Sequence, residues 1–511
     1  MKTALRDRAN RLAALLLAAA LPAGATLAAT PATSATPDPA RLYQQHCAAC
    51  HGGDRLGGMG PALLPENLGR LRKGEATEVV AKGRAATQMT GFAHLLDKAQ
   101  LTALVDWIYT PVVPTPRWTE ADMRASRIQH VDPKTLSDKP VFAADPLNLF
   151  LVVEHGDNHV SVLDGDRLEP VHRFASRFAL HGGPKFAEGG RFVFFGSRDG
   201  WVTKYDLWNL KVVAEIRAGI NTRNVAVSPD GRHVAVANYL PHTLVLLDGD
   251  LNVVRSIPVA DTAGRSSRVS AVYDATPRQS FVAALKDVPE VWEISYAAKD
   301  KDGYPEPRRT RLDDVLDDFF FTQDYARLMG ASREGKAQVV DLDARGKLAD
   351  LPLAGMPHLG SGITWRRDGR TLMASTNLRA AEVTVIDLAD WSVVKRIPTR
   401  GPGFFLRSHE SSRYAFVDSM MSRDAKHILQ VIDKQTLEVV AEIAGEPGKT
   451  LAHVEFTRDG RYALASLSEM DGAIVVYDAR TLKEVKRLPM SKPIGKYNVW
   501  NKINRDEGTS H

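Results

Sequence analysis

The chain has 511 residues, 44% of them hydrophobic and 25% charged, with a formal net charge of +5 and only two cysteines. That composition excludes a disordered, fibrous or disulfide-stapled protein, and the length excludes a single compact core, so two folded units are expected.

The N-terminus stands apart from the rest. Lys2, Arg6, Arg8 and Arg11 precede an apolar run from Leu12 to Leu21, and Ala23, Ala25, Ala28 and Ala29 follow. This is the order of a secretory signal, expected over residues 1–29, and the run is too short to span a bilayer. The expected location is the periplasm, with no membrane span. Loss of the segment removes those four basic residues and Asp7, so the remainder is near neutral and nucleic acid is not an expected partner.

Both cysteines fall in Cys47-Ala48-Ala49-Cys50-His51. At this spacing two thiols form thioethers with the vinyl groups of a haem and the adjacent imidazole reaches the iron. In an exported chain the pattern predicts one covalent haem c on Cys47, Cys50 and His51, rather than a thiolate metal site. Gly60-Pro61-Ala62-Leu63 reads as a turn that lets backbone pass close to a haem face, and Leu95 to Ile108 has helical periodicity, with Leu101, Leu104, Val105 and Ile108 on one face. Met89, in the loop Gly83 to Phe92, is the expected sixth ligand, with Met59 and His94 as alternatives. The reading is a small all-α domain over 30–110, similar to a class I cytochrome c from about Pro37 to Thr110. A linker over 111–140 is marked by Pro111, Pro114 and Pro116.

From residue 141 onward the chain repeats. Alternating apolar runs that close on Asp occur at Val160–Asp164, Val202–Asp206, Leu244–Asp248, Gln338–Asp341, Val383–Asp387, Leu429–Asp433 and Ile474–Asp478, and Val291–Ile294 fills the one gap. Their spacing of about 42 to 48 residues is the length of a four-stranded propeller blade, so eight blades are expected over 141–511. Asp230-Gly231-Arg232, Asp368-Gly369-Arg370 and Asp459-Gly460-Arg461 read as hairpin turns, with Gly189-Gly190-Arg191 as a variant. The fold class is thus an all-β eight-bladed propeller behind a small helical cytochrome c domain. Such an architecture does not by itself specify an activity.

Several segments carry a resemblance: Phe178-Ala179-Leu180-His181, Phe195-Gly196-Ser197-Arg198, Gly219 to Arg223, Ala237-Asn238-Tyr239, Met356-Pro357-His358, Phe404 to His409 and Gly495 to Asn501. With these the chain resembles the cytochrome cd1 family, whose propeller holds haem d1 without a covalent bond. The resemblance implies His181 as proximal ligand of the d1 iron and His358 above the other face. It implies Arg198 and Arg223 as partners of the tetrapyrrole carboxylates, with Tyr239 and His409 at the cofactor.

Two activities occur in the family. One is nitrite reduction, which uses two distal histidines and which His358 and His409 together keep open. The other is the dehydrogenation of dihydro-haem d1, in which one propionate becomes an acrylate. The chain departs from the reductase pattern in its short cytochrome domain, in having no apparent N-terminal arm, in Tyr497 where the reductase has Phe, and in His453 where it has none. A desaturation requires a base and an outlet for electrons, roles that fit His453, Tyr497 and haem c. The resemblance therefore implies dihydro-haem d1 as substrate and a periplasmic electron acceptor. It also implies nitrite reductase or another protein of d1 synthesis as a partner. A non-enzymatic d1 carrier is the remaining reading, against which the covalent haem argues.

Overall fold

A computed structural model describes residues 38–69, 71–84, 89–297, 303–332, 334–353 and 355–504. The export segment expected over 1–29 and residues 85–88 of the loop before Met89 lie outside the described residues. No helix among the described residues is long and apolar enough to cross a membrane.

The N-terminal part is helical, with its longer helices at Pro39–His46, Lys73–Lys82 and Lys98–Ile108. The last begins later than its periodicity suggests because Asp97 and Gln100 form a reciprocal cap: each side chain accepts the other's backbone N–H at 2.8 Å. Leu42, Tyr43, Val80, Leu104, Val105 and Ile108 form the core. Arg55 closes the far end of the same helix, donating from Nη1 to the carbonyls of Trp107 and Ile108, both at 2.9 Å, and from Nη2 to that of Thr110 at 2.8 Å. A cation there satisfies carbonyls that have no partner within the helix.

Strands from Leu149 to Asn498 form eight antiparallel four-stranded sheets among the described residues, one of which gains a fifth strand from Ile128–Gln129. The repeated runs ending in Asp are the third strands counted from the axis. Their aspartates begin the turn to the outer strand: Asp164 accepts the N–H of Asp166 at 2.8 Å, Asp206 that of Trp208 at 2.9 Å and Asp478 that of Thr481 at 2.7 Å. The chain then passes through a left-handed residue such as Leu168, Leu210, Leu437 or Leu482. The blade with Glu290–Ser295 as its third strand has no such Asp and connects instead through a longer segment to Arg308–Arg311. The Asp-Gly-Arg turns join first strands to second, with Gly231 and Gly460 at φ 69° and 71°, where a side chain would be strained.

The ring closes when the strand Pro493–Asn498 pairs with Leu149–Glu154, Tyr497 facing Leu151 and Lys496 facing Val152. The first blade thus takes its inner strand from the C-terminal part of the chain. Residues 111–140, read as a linker, include the helix Glu120–Ser126 and the short strand Ile128–Gln129, which adds to the outer edge of the second blade.

The helical domain is fixed on the propeller. Ala62 and Leu64 pack with Ile220 and Leu240. Asn67 Nδ2 donates to the Ile220 carbonyl at 3.0 Å, and Asn221 Nδ2 donates back to the Glu66 carbonyl at 2.7 Å. Arg217, lying over Trp118, donates to the Leu56 carbonyl.

Candidate active site

His51 is buried, and its Nδ1 lies 2.8 Å from the Pro61 carbonyl. A carbonyl only accepts, so Nδ1 carries the hydrogen and Nε2 keeps its lone pair, the orientation an iron ligand needs. Burial holds the ring below the usual imidazole range, in its neutral form. A Cβ on Gly60 would sit 2.6 Å from His51 Cε1, so only glycine fits against the imidazole. Cys47 and Cys50 are not joined to each other and lie on the turn that leads into His51. These residues fit a covalent haem c. Of the three candidates for the sixth position, Met89 packs against the domain core, whereas Met59 is 76% exposed and His94 is exposed.

In the propeller, His181, Arg223, His358, His453 and Tyr497 stand on one closed circuit of contacts. His181 Nδ1 is 2.7 Å from the Arg223 carbonyl, and Arg198 Nη2 and Arg223 Nη1 lie 3.2 and 3.3 Å from Nε2. Arg223 is 3.9 Å from Asp318, which lies against the turn after His358, since a Cβ on Gly360 would meet its carboxylate at 2.3 Å. His358 packs on Phe404 at 4.1 Å between ring centres, Phe404 on Phe405 at 4.7 Å, Phe405 on His453 at 4.4 Å and His453 on Tyr497 at 5.2 Å. A Cβ on Gly183, two residues past His181, would touch the Tyr497 ring at 2.9 Å, which completes the circuit.

His358 repeats the arrangement of His51. Its Nδ1 lies 2.8 Å from the Phe404 carbonyl, and burial keeps the ring neutral. Tyr239 lies beside the circuit, its ring flanked by Arg198, Arg268 and Lys286 at 5.5 to 5.7 Å. Guanidinium and ammonium groups gathered along one wall suit a ligand with several carboxylates.

His453 has φ +50° and stands where the strand Leu451–Phe456 slips register between Ala452 and Glu455. A β-bulge of this kind re-aims a side chain, and a left-handed non-glycine residue costs about 1–3 kcal/mol. Burial, then Lys496, Arg407 and Lys502, holds its imidazole well below the usual range, so it is neutral, and its Nδ1 faces the Lys496 backbone N–H at 3.5 Å. Burial pushes the Tyr497 hydroxyl up to about 12, where it stays a donor. Lys496, fully buried, donates through Nζ to the His453 carbonyl, and burial brings its ammonium down to about 7. Beneath them Arg407 Nη2 meets Glu455 Oε2 at 2.7 Å, and Asn501 Nδ2 donates to Glu455 Oε1 at 3.0 Å.

His409 stands apart from this group. Phe404 and Phe405 hold the pocket end of the strand Leu406–Ser408, and His409 follows its other end, about 15 Å further at roughly 3.3 Å per residue. There its Nδ1 bonds Ser411 Oγ at 2.7 Å, beside the turn at Gly460. Sequence reasoning missed Asp418, Lys496 and the Arg407–Glu455 pair. Their available signal is a charged residue inside a largely buried strand, as Lys496 is in Pro493–Asn498.

Residues 144–502 match the cytochrome D1 heme domain family, and residues 34–108 match the family of the cbb3-type cytochrome c oxidase subunit III. The chain is 58% identical over 473 residues to the dihydro-heme d1 dehydrogenase of Pseudomonas aeruginosa, covering 92% of this chain and 95% of that protein. It is 26% identical over 527 residues to a nitrite reductase of Stutzerimonas stutzeri, covering 91% of this chain and 92% of the relative. A solved structure of dihydro-heme d1 dehydrogenase NirN in complex with DHE superposes with a TM-score of 0.88 at 57% identity, covering 91% of this chain and all of that one. The chain belongs to the family of proteins with a cytochrome d1 haem domain, in the branch of the dihydro-haem d1 dehydrogenases.

Proposed function

We propose that the protein removes two hydrogens from one propionate of dihydro-haem d1, giving the acrylate of haem d1, and acts in the periplasm. The observation that carries this reading is a neutral imidazole, His453, packed on a protonated phenol, Tyr497, with Lys496, Arg407 and Lys502 beside the imidazole.

In the reaction two C–H bonds break and one C=C bond forms, so two protons and two electrons leave the side chain. Cys47, Cys50 and His51, with Met89 as the proposed sixth ligand, would hold haem c, which would supply an outlet taking the two electrons one at a time to a periplasmic acceptor. His181 and His358, each with Nδ1 anchored on a carbonyl, offer Nε2 to the substrate's iron. Arg198 and Arg223 turn from His181 to the substrate's carboxylates, and Tyr239 keeps the neighbouring cations in place. His453 takes a proton from the propionate chain, and Tyr497 donates a hydrogen bond to its carboxylate. The product passes to nitrite reductase or to another protein of d1 synthesis.

Nitrite reduction is disfavoured because it draws on a second distal histidine, and His409 stands at the far end of its strand. A d1 carrier would have no use for a covalent electron acceptor. Supplying dihydro-haem d1 and nitrite in separate assays tests the reading. The expected result is a pigment lighter by two hydrogens, reduction of the haem c band and no nitrite consumption. Unchanged pigment together with rapid nitrite loss would overturn it.

A further inference from the structure

A single carboxylate joins the two histidines assigned different tasks above. Asp418 ends the strand Tyr414–Asp418 and is 1% exposed. It accepts four backbone N–H groups: Phe404 at 2.8 Å and Met420 at 3.4 Å on Oδ1, Phe405 at 3.2 Å and His453 at 3.3 Å on Oδ2.

Each bond leads into the site. The Phe404 peptide held by Asp418 presents its carbonyl to His358 Nδ1 at 2.8 Å and to Ser361 Oγ at 2.7 Å. The Phe405 ring packs on the His453 ring at 4.4 Å. The His453 N–H bound to Asp418 belongs to the left-handed residue of the bulge, whose carbonyl takes the Lys496 ammonium. Gly403 lets this segment run close, since a Cβ there would sit 2.4 Å from the Asp418 carbonyl. A carboxylate accepts at all of these positions, whereas an amide in the same place has one oxygen to accept with and turns N–H donors toward N–H donors.

We propose that Asp418 is a positioning residue that sets His358 and His453 relative to one another, through Phe404 on one side and the bulge on the other. The proposal rests on the roles proposed for those two histidines. Moving a base by about 1 Å from its productive place costs on the order of 10²-fold in rate.

The test uses Asp418→Asn in the full protein carrying haem c, titrated with dihydro-haem d1. Two changes are expected together: a fall in kcat of about 10²-fold with KM within about threefold of wild type, and an altered absorption spectrum of the bound pigment like that of His358→Ala. Asp433→Asn is the control, since Asp433 is a buried turn carboxylate outside the pocket that bonds the Gln435 N–H at 2.8 Å; both readouts should stay at wild type there. Wild-type kcat and spectrum in Asp418→Asn would overturn the proposal. If that variant does not fold, Gly403→Ala pushes Phe404 and Phe405 away from an intact carboxylate, and the same paired change is expected; an unchanged pair would again overturn it. Should the wild type fail to desaturate the pigment, the proposed function falls, while the spectrum of bound pigment still decides the link from Asp418 to His358.

Discussion

Replacing Arg407 by Met should make the stability of the protein depend steeply on pH, because it strands a buried carboxylate beneath the pocket. The guanidinium is 2.7 Å from Glu455, and the two side chains are 5% and 1% exposed. In the wild type burial pushes the Glu455 carboxyl up, but Arg407 and Lys502, with hydrogen bonds from Arg407 and Asn501, bring it below the usual range. Its folded value lies below its unfolded value, so the wild-type contribution is present above the ordinary glutamate range and is lost as pH falls through the depressed value. Without Arg407 the sign reverses. Burial dominates, the protonated form is the one the fold favours, and the penalty grows as pH rises past the ordinary glutamate range. Breaking a buried pair from one side costs about 3–5 kcal/mol, so a loss of that size is expected at pH 8 and a markedly smaller one at pH 5. Adding Glu455→Gln to Arg407→Met should recover part of it, since the carboxylate no longer lacks its guanidinium, while Lys496 and Lys502 lose the anion beside them. Denaturant unfolding followed by tryptophan fluorescence at both pH values measures the difference. Equal losses at pH 5 and pH 8, or a double variant as unstable as the single one, would refute the reasoning.

The remaining expectations concern the two haem sites. Denatured wild-type protein should keep haem on the polypeptide, whereas Cys47→Ala with Cys50→Ala should release it. Met89→Ala should lower the haem c potential, measured by redox titration; an unchanged value would move the sixth ligand to Met59 or His94. His453→Ala should lose about 10²–10⁴ of the desaturation rate while pigment binding persists, and Tyr497→Phe should lose less, both read from product formation under saturating pigment. Arg198→Ala or Arg223→Ala should weaken pigment binding by about 1.5–3 kcal/mol each in equilibrium titration, and His181→Ala should shift the spectrum of bound pigment.

What could be read from sequence was local. The Asp that closes seven of the eight third strands is visible because its carboxylate binds N–H groups only two and three residues on, as Asp164 does, and the covalent haem site is visible because two thiols and the imidazole lie within five residues. The pocket circuit is not local. Asp418 meets His453 across 35 positions and Arg407 meets Glu455 across 48, between neighbouring blades, and no spacing rule announces such contacts. His409 shows the converse limit. A run of familiar residues fixes their types, but along an extended strand the first and last of them serve opposite ends. The proline-marked stretch 111–140 was legible as a break in pattern, but its fifth strand depends on finding the open edge of Lys211–Arg217.

Tyr497 and Lys496 reach the pocket on the strand that also joins the two ends of the ring. Seven sheets and an incomplete eighth would hold every other residue of the circuit and still lack the phenol. In the proposed site, a pigment held between Tyr497 on that strand and His181 in the second blade would work as a clasp on a bracelet: its binding energy would fall across the seam. At a concentration about 100 times its Kd, a ligand that binds only the closed form adds about 2.7 kcal/mol to closure. On that proposal, release of the product would loosen the seam, and the strength with which the ring holds shut would follow the state of its occupant.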